Sequence, residues 1–580
     1  MGKRSFMRGR RPSLERLRLQ LARPDALFAH ALLGLGTGLA TGVVIVAFRL
    51  AVEGTQALML PDHGENYEAI SPLWRFLLPL FGALLIGLLF LRFAKGIYVL
   101  GVARVLERME YHQGHMSLRG FMLQFIGAAI AIVSGHSVGR EGPHVYLGAA
   151  SGSLLGQWLS LPNNSIRTLV ACGTAAGISA SFNTPLAGVI FALEVLALEY
   201  SITGFIPIIL AAVSANALSV SLFGSAPAFV IPPFLLTSVS DLLPVLLIGL
   251  FAGAVSAAYI QLLQSIASAS KQLDFFQRIM LAGLAAGAFG ILVPEVMGLG
   301  YDSLDGLLTQ ALPWTFLLIL LIAKLLATST SVGLGIPGGT IGPALFMGAT
   351  LGHLIGVLAT GVLGADAAYT SFFALLGMGA MMGASLQAPL AALVAVVELT
   401  HSPGVIMPGM LTIILALVSS KQLFKKDSLF VTMLKANGLD YRANPVVALL
   451  RRSGVASVMN TRFARQQPTL SREQAQHLMS DNPEWIIVDR DGTPAFAMPG
   501  IAIARYLPQD ADAETIDLLE IPAERLELAA VHLQATLQEA LDILNREGVE
   551  ALYVTRPIAP GINHTYGVLT RGRIESAYRY

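Results

Sequence analysis

Between about Ala26 and about Leu423 the chain returns repeatedly to apolar stretches long enough to cross or enter a bilayer. A chain of this kind satisfies its peptide groups inside hydrocarbon by folding as helices. Composition agrees. Of 580 residues, 54% are hydrophobic and 13% charged, with mean hydropathy +0.65 and formal net charge +1. That is too apolar for a soluble protein of this size and fits a polytopic helical membrane protein. Many of the stretches are interrupted by Gly or Pro, as in transporters and channels built from broken helices. One cysteine, Cys172, excludes an intrachain disulfide, and its apolar, small-residue surroundings mark it as a core residue.

In this setting the segment SGHSVGREGPHVYLGAA is unusual, because it places Arg140 and Glu141 among glycines, with Pro143 at a position suited to a first helical turn. An ionisable residue among membrane helices points to function. A Gly-rich lead-in lets backbone N–H groups at a helix start face a cavity and bind an anion without a cation. A carboxylate placed there can occupy the anion site itself and act as its gate. The plainer alternative is an Arg–Glu pair that fixes a helix end at the membrane surface.

The apolar region is duplicated. CGTAAGISASFNTPLAGVIFALE, from Cys172 to Glu194, aligns with LGMGAMMGASLQAPLAALVAVVE, from Leu376 to Glu398. One offset pairs Gly173 with Gly377, Ser181 with Ser385, Pro185 with Pro389 and Glu194 with Glu398. Before each copy lies a Gly-rich segment ending in proline: GREGP in the first half, GIPGGTIGP from Gly335 to Pro343 in the second. Duplicated halves with helices broken in matching places put a substrate site between the repeats.

The flanks differ in character. Residues 1–25 are strongly basic and lack the features of a signal peptide, so the positive-inside rule places them in the cytoplasm. KQLFKKDS, near Lys421, carries positive charge at the far end of the apolar region and places that end there too. Near residue 437 the composition changes, giving boundaries of 1–25, 26–436 and 437–580. Trp485–Val488 followed by Asp489-Arg490-Asp491-Gly492 reads as strand and turn. Thr536-Leu537-Gln538-Glu539 is a capping box opening a helix, and Leu470–Gln474 a weaker copy. Ala551–Val554 and Tyr566–Thr570 read as strands, so the segment is a soluble α+β module of two repeats.

These motifs, in this order, resemble those of the CLC family of chloride channels and proton/chloride antiporters. GREGP (Gly139–Pro143) matches the family's gating-glutamate motif, PGGTIGP (Pro337–Pro343) its GxFxP region, and NTPLAGVIFALE and QAPLAALVAVVE its paired helix segments. The resemblance implies an all-α membrane domain of inverted repeats with tilted, partly broken helices. It also implies a cytoplasmic CBS-domain pair and a homodimer with one pore per subunit in a bacterial inner membrane. Chloride would be the bound substrate, held by backbone amides around Gly139, Arg140, Glu141 and Gly142 and around Gly339, Thr340 and Ile341. Glu141 would be the gate.

The departures from the family pattern bear on mechanism. Counting back from Glu141, GxGxP falls on Val99–Ala103 and keeps only Gly101, so that Leu100 stands where a serine usually faces the anion. A shifted register would use Lys95–Tyr98 instead. The family's pore tyrosine falls on Phe430, so Leu100, Gly101 and Phe430 would line an apolar constriction. After PLAG the antiporters carry two successive glutamates, where this chain has Glu194-Val195. Loss of the second carboxylate favours a passive chloride channel, with a proton-coupled antiporter as the alternative and a fluoride exchanger as a remoter one. Glu199 is the substitute proton acceptor if exchange survives, and His144 either tunes Glu141 or simply packs. A membrane sensor without transport is disfavoured by the intact GREGP. Nothing suggests an enzyme. In the C-terminal pair, Thr570-Arg571-Gly572-Arg573 puts arginine where a ribose-binding carboxylate is expected, so nucleotide binding there is doubtful.

Overall fold

A computed structural model describes residues 18–22, 26–61, 65–196, 202–225, 242–309, 312–363, 369–439, 445–490, 492–507, 514–559 and 562–577. Chain contacts divide it into two compact units. One comprises residues 31–158 and 166–442; the other gathers residues 1–30, 159–165 and 443–580.

The first unit is helical. Among the described residues, nine helices are long and apolar enough to cross a membrane. The helices that build the site are α1 (Leu27–Met59), α2 (Gly101–Tyr111), α3 (Leu118–Val133), α4 (Glu141–Trp158), α5 (Asn163–Phe182) and α6 (Pro185–Val195). In the second half they are α7 (Tyr301–Thr309), α8 (Trp314–Gly333), α9 (Ile341–Leu363), α10 (Tyr369–Leu386), α11 (Pro389–Thr400) and α12 (Leu429–Ala436).

The duplication seen in the sequence is repeated bond for bond. At the end of α3, Gly135 N–H donates to Ile132 O and His136 N–H to Ala131 O; at the end of α8, Gly335 donates to Val332 O and Ile336 to Ser331 O. Both turns need a left-handed residue, and glycine takes it at φ +80° and +105°. The chain then runs extended to Gly139 or Gly339 and re-enters a helix, α4 or α9. Those helices pack tightly on α5 and α10 because glycines face each other. A Cβ on Gly148 would lie 2.1 Å from Gly173 O, and one on Gly348 would lie 2.3 Å from Gly377 O. Cys172 is buried in this core.

The short helices α6 and α11 also pack together, with a reciprocal cap. Glu194, at the end of α6, accepts from Leu390 N (3.1 Å) and Ala391 N (2.8 Å) at the start of α11. Glu398 in α11 accepts from Leu186 N (3.1 Å) and Ala187 N (2.8 Å) at the start of α6. A helix start leaves amides without intrahelical partners and carries positive partial charge, so a carboxylate stabilises it.

The C-terminal residues of the second unit form a six-stranded sheet in the order β1-β3-β4-β6-β7-β8. Its strands are β1 (Phe463–Gln466), β3 (Trp485–Arg490), β4 (Thr493–Pro499), β6 (Leu526–His532), β7 (Ala551–Ala559) and β8 (Ile562–Thr570). β2 (Thr469–Ser471) pairs with β5 (Thr515–Asp517). The same unit occurs twice: a strand, a helix, a parallel strand, an antiparallel strand and a short helix. Each long helix starts on a capping box, Ser471 with Gln474 and Thr536 with Glu539. Arg573 donates to Val458 O (3.1 Å) and lies 3.6 Å from Glu484.

Candidate anion gate

The two re-entrant loops meet at their glycines. Gly139 N–H donates to Gly339 O (2.8 Å) and Gly339 N–H to Gly139 O (2.6 Å), a single antiparallel bridge between the repeats. Their amides therefore join the loops and face each other rather than a ligand. Only glycine allows this approach. A Cβ on Gly339 would lie 2.7 Å from Gly142 N, and one on Gly142 would lie 2.8 Å from Gly339 Cα.

This bridge sets Glu141, the first residue of α4, against the first turn of α9. Glu141 is fully buried. Its Oε2 accepts from Gly342 N (2.9 Å), and its Oε1 from the Tyr301 hydroxyl (2.7 Å). Thr340 and Ile341, which precede Gly342, are buried beside it. An amide N–H and a phenolic O–H are also donors of the kind that bind free anions.

Neighbouring charges hold this arrangement. The Arg140 guanidinium lies 4.9 Å from the Tyr301 ring centroid and 3.2 Å from Glu53, which also pairs with Arg49 at 2.6 Å. Glu65 accepts from Tyr301 N (3.4 Å) and from Leu299 N. Burial pushes this carboxyl up to about 7. Lys324 is buried in α8, donates to Val296 O (3.1 Å) and sits 4.6 Å from the Phe346 ring centroid. His144 is a packed histidine: its Nδ1 lies 2.8 Å from Ser181 Oγ, with Phe48 edge-on at 5.1 Å.

The family model for voltage-gated chloride channels matches residues 82–421, more than half of the chain. The chain belongs to the CLC family. A ClcB-like protein of Ralstonia nicotianae, whose description as a chloride channel is provisional, is 34% identical over 392 residues, covering 66% of this chain and 91% of that one. The H(+)/Cl(-) exchange transporter ClcA of Vibrio cholerae is 27% identical over 414 residues, 70% of this chain and 88% of ClcA. Two solved structures share the fold. A slow cyanobacterial Cl-/H+ antiporter has TM-score 0.63 at 21% identity, covering 70% of this chain and 97% of that one. A eukaryotic CLC transporter has TM-score 0.62 at 18% identity, covering 97% of this chain and 98% of that one.

Elsewhere in this CLC chain, a cavity of about 350 Å³ is lined by Leu100, Gly101, Pro337 and Met433 together with the cations Arg104, Lys271 and Arg278. Leu100 faces this cavity, as do Gly96 and Tyr98 of the shifted register. Phe430 is buried and is not among the cavity's lining residues; α12 contributes Met433 and Ala436. The buried Gln124 pins this region, accepting from Gly101 N (2.8 Å) and donating to Pro337 O (3.2 Å). Val195 is half-buried at the end of α6, and its neighbour Glu194 is engaged with the α11 amides. Glu199 lies outside the described residues.

Sequence reasoning missed Tyr301, Gln124 and Lys324. Gln124 and Lys324 were detectable as polar residues within apolar helices. Tyr301 carries no such signal, because only the fold brings it to Glu141.

Proposed function

We propose that this CLC protein transports chloride in exchange for protons, with Glu141 as the gate and the group that carries the proton. The observation behind this reading is the buried Glu141 carboxylate on anion-type donors, Gly342 N–H and Tyr301 O–H. When ionised it competes with chloride for them; when protonated it is a poorer acceptor and gives way. One group then couples both ions. The exchange transporters named ClcA, similar over 70% of this chain, weigh in the same direction.

The second reading is a passive chloride channel. Val195 favours it, since valine cannot accept a proton from the other side of the membrane, as does Leu100, which lines the cavity without the serine hydroxyl that the family resemblance leads one to expect. Fluoride remains a candidate ion, because backbone donors do not choose between halides.

Around this core we place a homodimer with one path per subunit, the termini in the cytoplasm of a bacterium, and the two-repeat C-terminal module as a CBS-like regulatory pair. The ties of Arg573 to Val458 and Glu484 support a structural role for that module over nucleotide binding.

Purified protein in liposomes, with chloride and proton flux recorded together, separates the two readings. Exchange predicts that a proton gradient drives chloride uphill at a fixed ratio, and that Glu141→Gln abolishes proton movement while chloride flux persists without pH dependence. A reversal potential set by chloride alone would establish the channel.

A further inference from the structure

We propose that the Tyr301 hydroxyl is an anion ligand of the outer site, shared in turn between the Glu141 carboxylate and the transported halide. This rests on the reading of Glu141 as the gate and goes beyond it.

The argument starts from the donors on Glu141. Its two oxygens have one partner each, Gly342 N–H at 2.9 Å and Tyr301 O–H at 2.7 Å. When the carboxylate leaves, both donors face the position it vacated. A phenol is well suited to hold an anion there, since it donates strongly without bringing a charge that would trap the ion.

Tyr301 is also built in. Its ring lies under Arg140, 4.9 Å from the guanidinium, and its backbone N–H is taken by Glu65. The phenol is therefore preorganised and needs no rearrangement when its acceptor changes from carboxylate to halide. The charged and titratable groups around Glu141 are Arg140 beside it in the chain, His144 one turn on, Arg49 and Glu53 on α1, Glu65 in the loop after α1, Tyr301 on α7 and Lys324 on α8. Of these, the Tyr301 side chain and not another hydrogen-bonds the gate.

Tyr301→Phe removes one oxygen and keeps the ring that Arg140 overlies. Chloride affinity is measured by calorimetry in Glu141→Gln protein, where the gate no longer competes. Adding Tyr301→Phe there weakens chloride binding about tenfold, the low end for a lost hydrogen bond to a charged group. In Tyr301→Phe alone the carboxylate loses a donor that favours its ionised form. Chloride flux then rises at neutral pH, and its half-activation moves about one unit to higher pH. The same shift is seen in a Glu65→Gln background, which excludes titration of Glu65 as its source. Unchanged affinity in the first comparison, or an unmoved midpoint in the second, overturns the proposal. A pH response that survives in Glu141→Gln alone instead removes Glu141 from the gating role, and the affinity comparison still decides whether Tyr301 binds the anion. If Tyr301→Phe does not fold, anomalous scattering from bromide in Glu141→Gln crystals decides: bromide within hydrogen-bond reach of the Tyr301 oxygen supports the assignment, and bromide elsewhere overturns it.

Discussion

Replacing Glu398 by alanine removes two hydrogen bonds from a helix start, those from Leu186 N at 3.1 Å and Ala187 N at 2.8 Å. A hydrogen bond to a charged group contributes about 1.5–3 kcal/mol when shielded. Leu186 is 48% exposed in the single chain, so the bonds are only partly shielded and the central net value of about 1 kcal/mol per bond is used. Losing the negative charge at a helix N-terminus adds about 0.5 kcal/mol. Glu398→Ala should therefore destabilise the membrane unit by about 2–3 kcal/mol, and Glu398→Gln, which keeps one acceptor oxygen, by about half that. Glu194 makes the same pair of bonds at the same distances in the other direction, so Glu194→Ala should match Glu398→Ala. The measurement is chemical unfolding in detergent followed by tryptophan fluorescence, with proton and chloride flux per folded molecule recorded in liposomes. Unmoved midpoints, or a difference above about 1 kcal/mol between the two alanine variants, would refute the reciprocal-cap argument. The flux record adds a second decision. Glu398→Ala serves as the control for Glu194→Ala, and an altered proton ratio in Glu194→Ala alone would show that Glu194 handles protons as well as capping α11.

Gly339→Val should abolish chloride flux, because its Cβ would fall 2.7 Å from Gly142 N, whereas Gly36→Ala, with nothing within 4 Å, should leave flux intact; equal flux in both would refute the close approach. Gln124→Met keeps the volume but frees Gly101 N and Pro337 O, at about 1–3 kcal/mol for each group left unpaired, and should lower both melting temperature and flux. Glu65 is held near 7 against an unfolded value of 4.5, so the folded state binds the extra proton between those values. Its contribution to stability is full below about 4.5 and is lost as pH rises through about 7; Glu65→Gln should flatten that slope in melting curves taken across the window. Thr536→Ala should speed hydrogen exchange in Leu537–Glu547, consistent with about 1 kcal/mol for a lost N-cap, without changing the flux mechanism.

The parts of this protein set by local chemistry were legible in the sequence. Both capping boxes in the C-terminal module open helices, and Trp485–Val488, Ala551–Val554 and Tyr566–Thr570 lie in strands. The duplication could be read because glycine, proline and glutamate recur where the backbone must turn, approach closely or cap. Partnership across the fold could not be read. Glu194 and Glu398 were visible as equivalent residues, but that each serves the other's helix is a property of packing. Likewise Gly139 and Gly339 were expected to offer amides to an anion, yet those amides bond to one another, and Gly342 supplies the donor. Tyr301 lies 160 residues from Glu141, with no spacing rule to connect them.

The exchange of glutamates between α6 and α11 also bears on how such a chain arose. In a symmetric dimer of identical subunits, a residue of one copy contacts a patch on the other, and the same contact is returned. Glu194 on Leu390 and Ala391, answered by Glu398 on Leu186 and Ala187, is that reciprocal contact written within one polypeptide. A half-length chain with one such helix and its glutamate carries both halves of the joint and finds its complement in a second copy of itself. Joining two such copies would need no new interface, because the seam between the repeats has the form of a two-fold subunit boundary. Once the copies are joined, the two sides of that boundary are free to diverge, as Glu141 in one loop and Ile341 in the other have done.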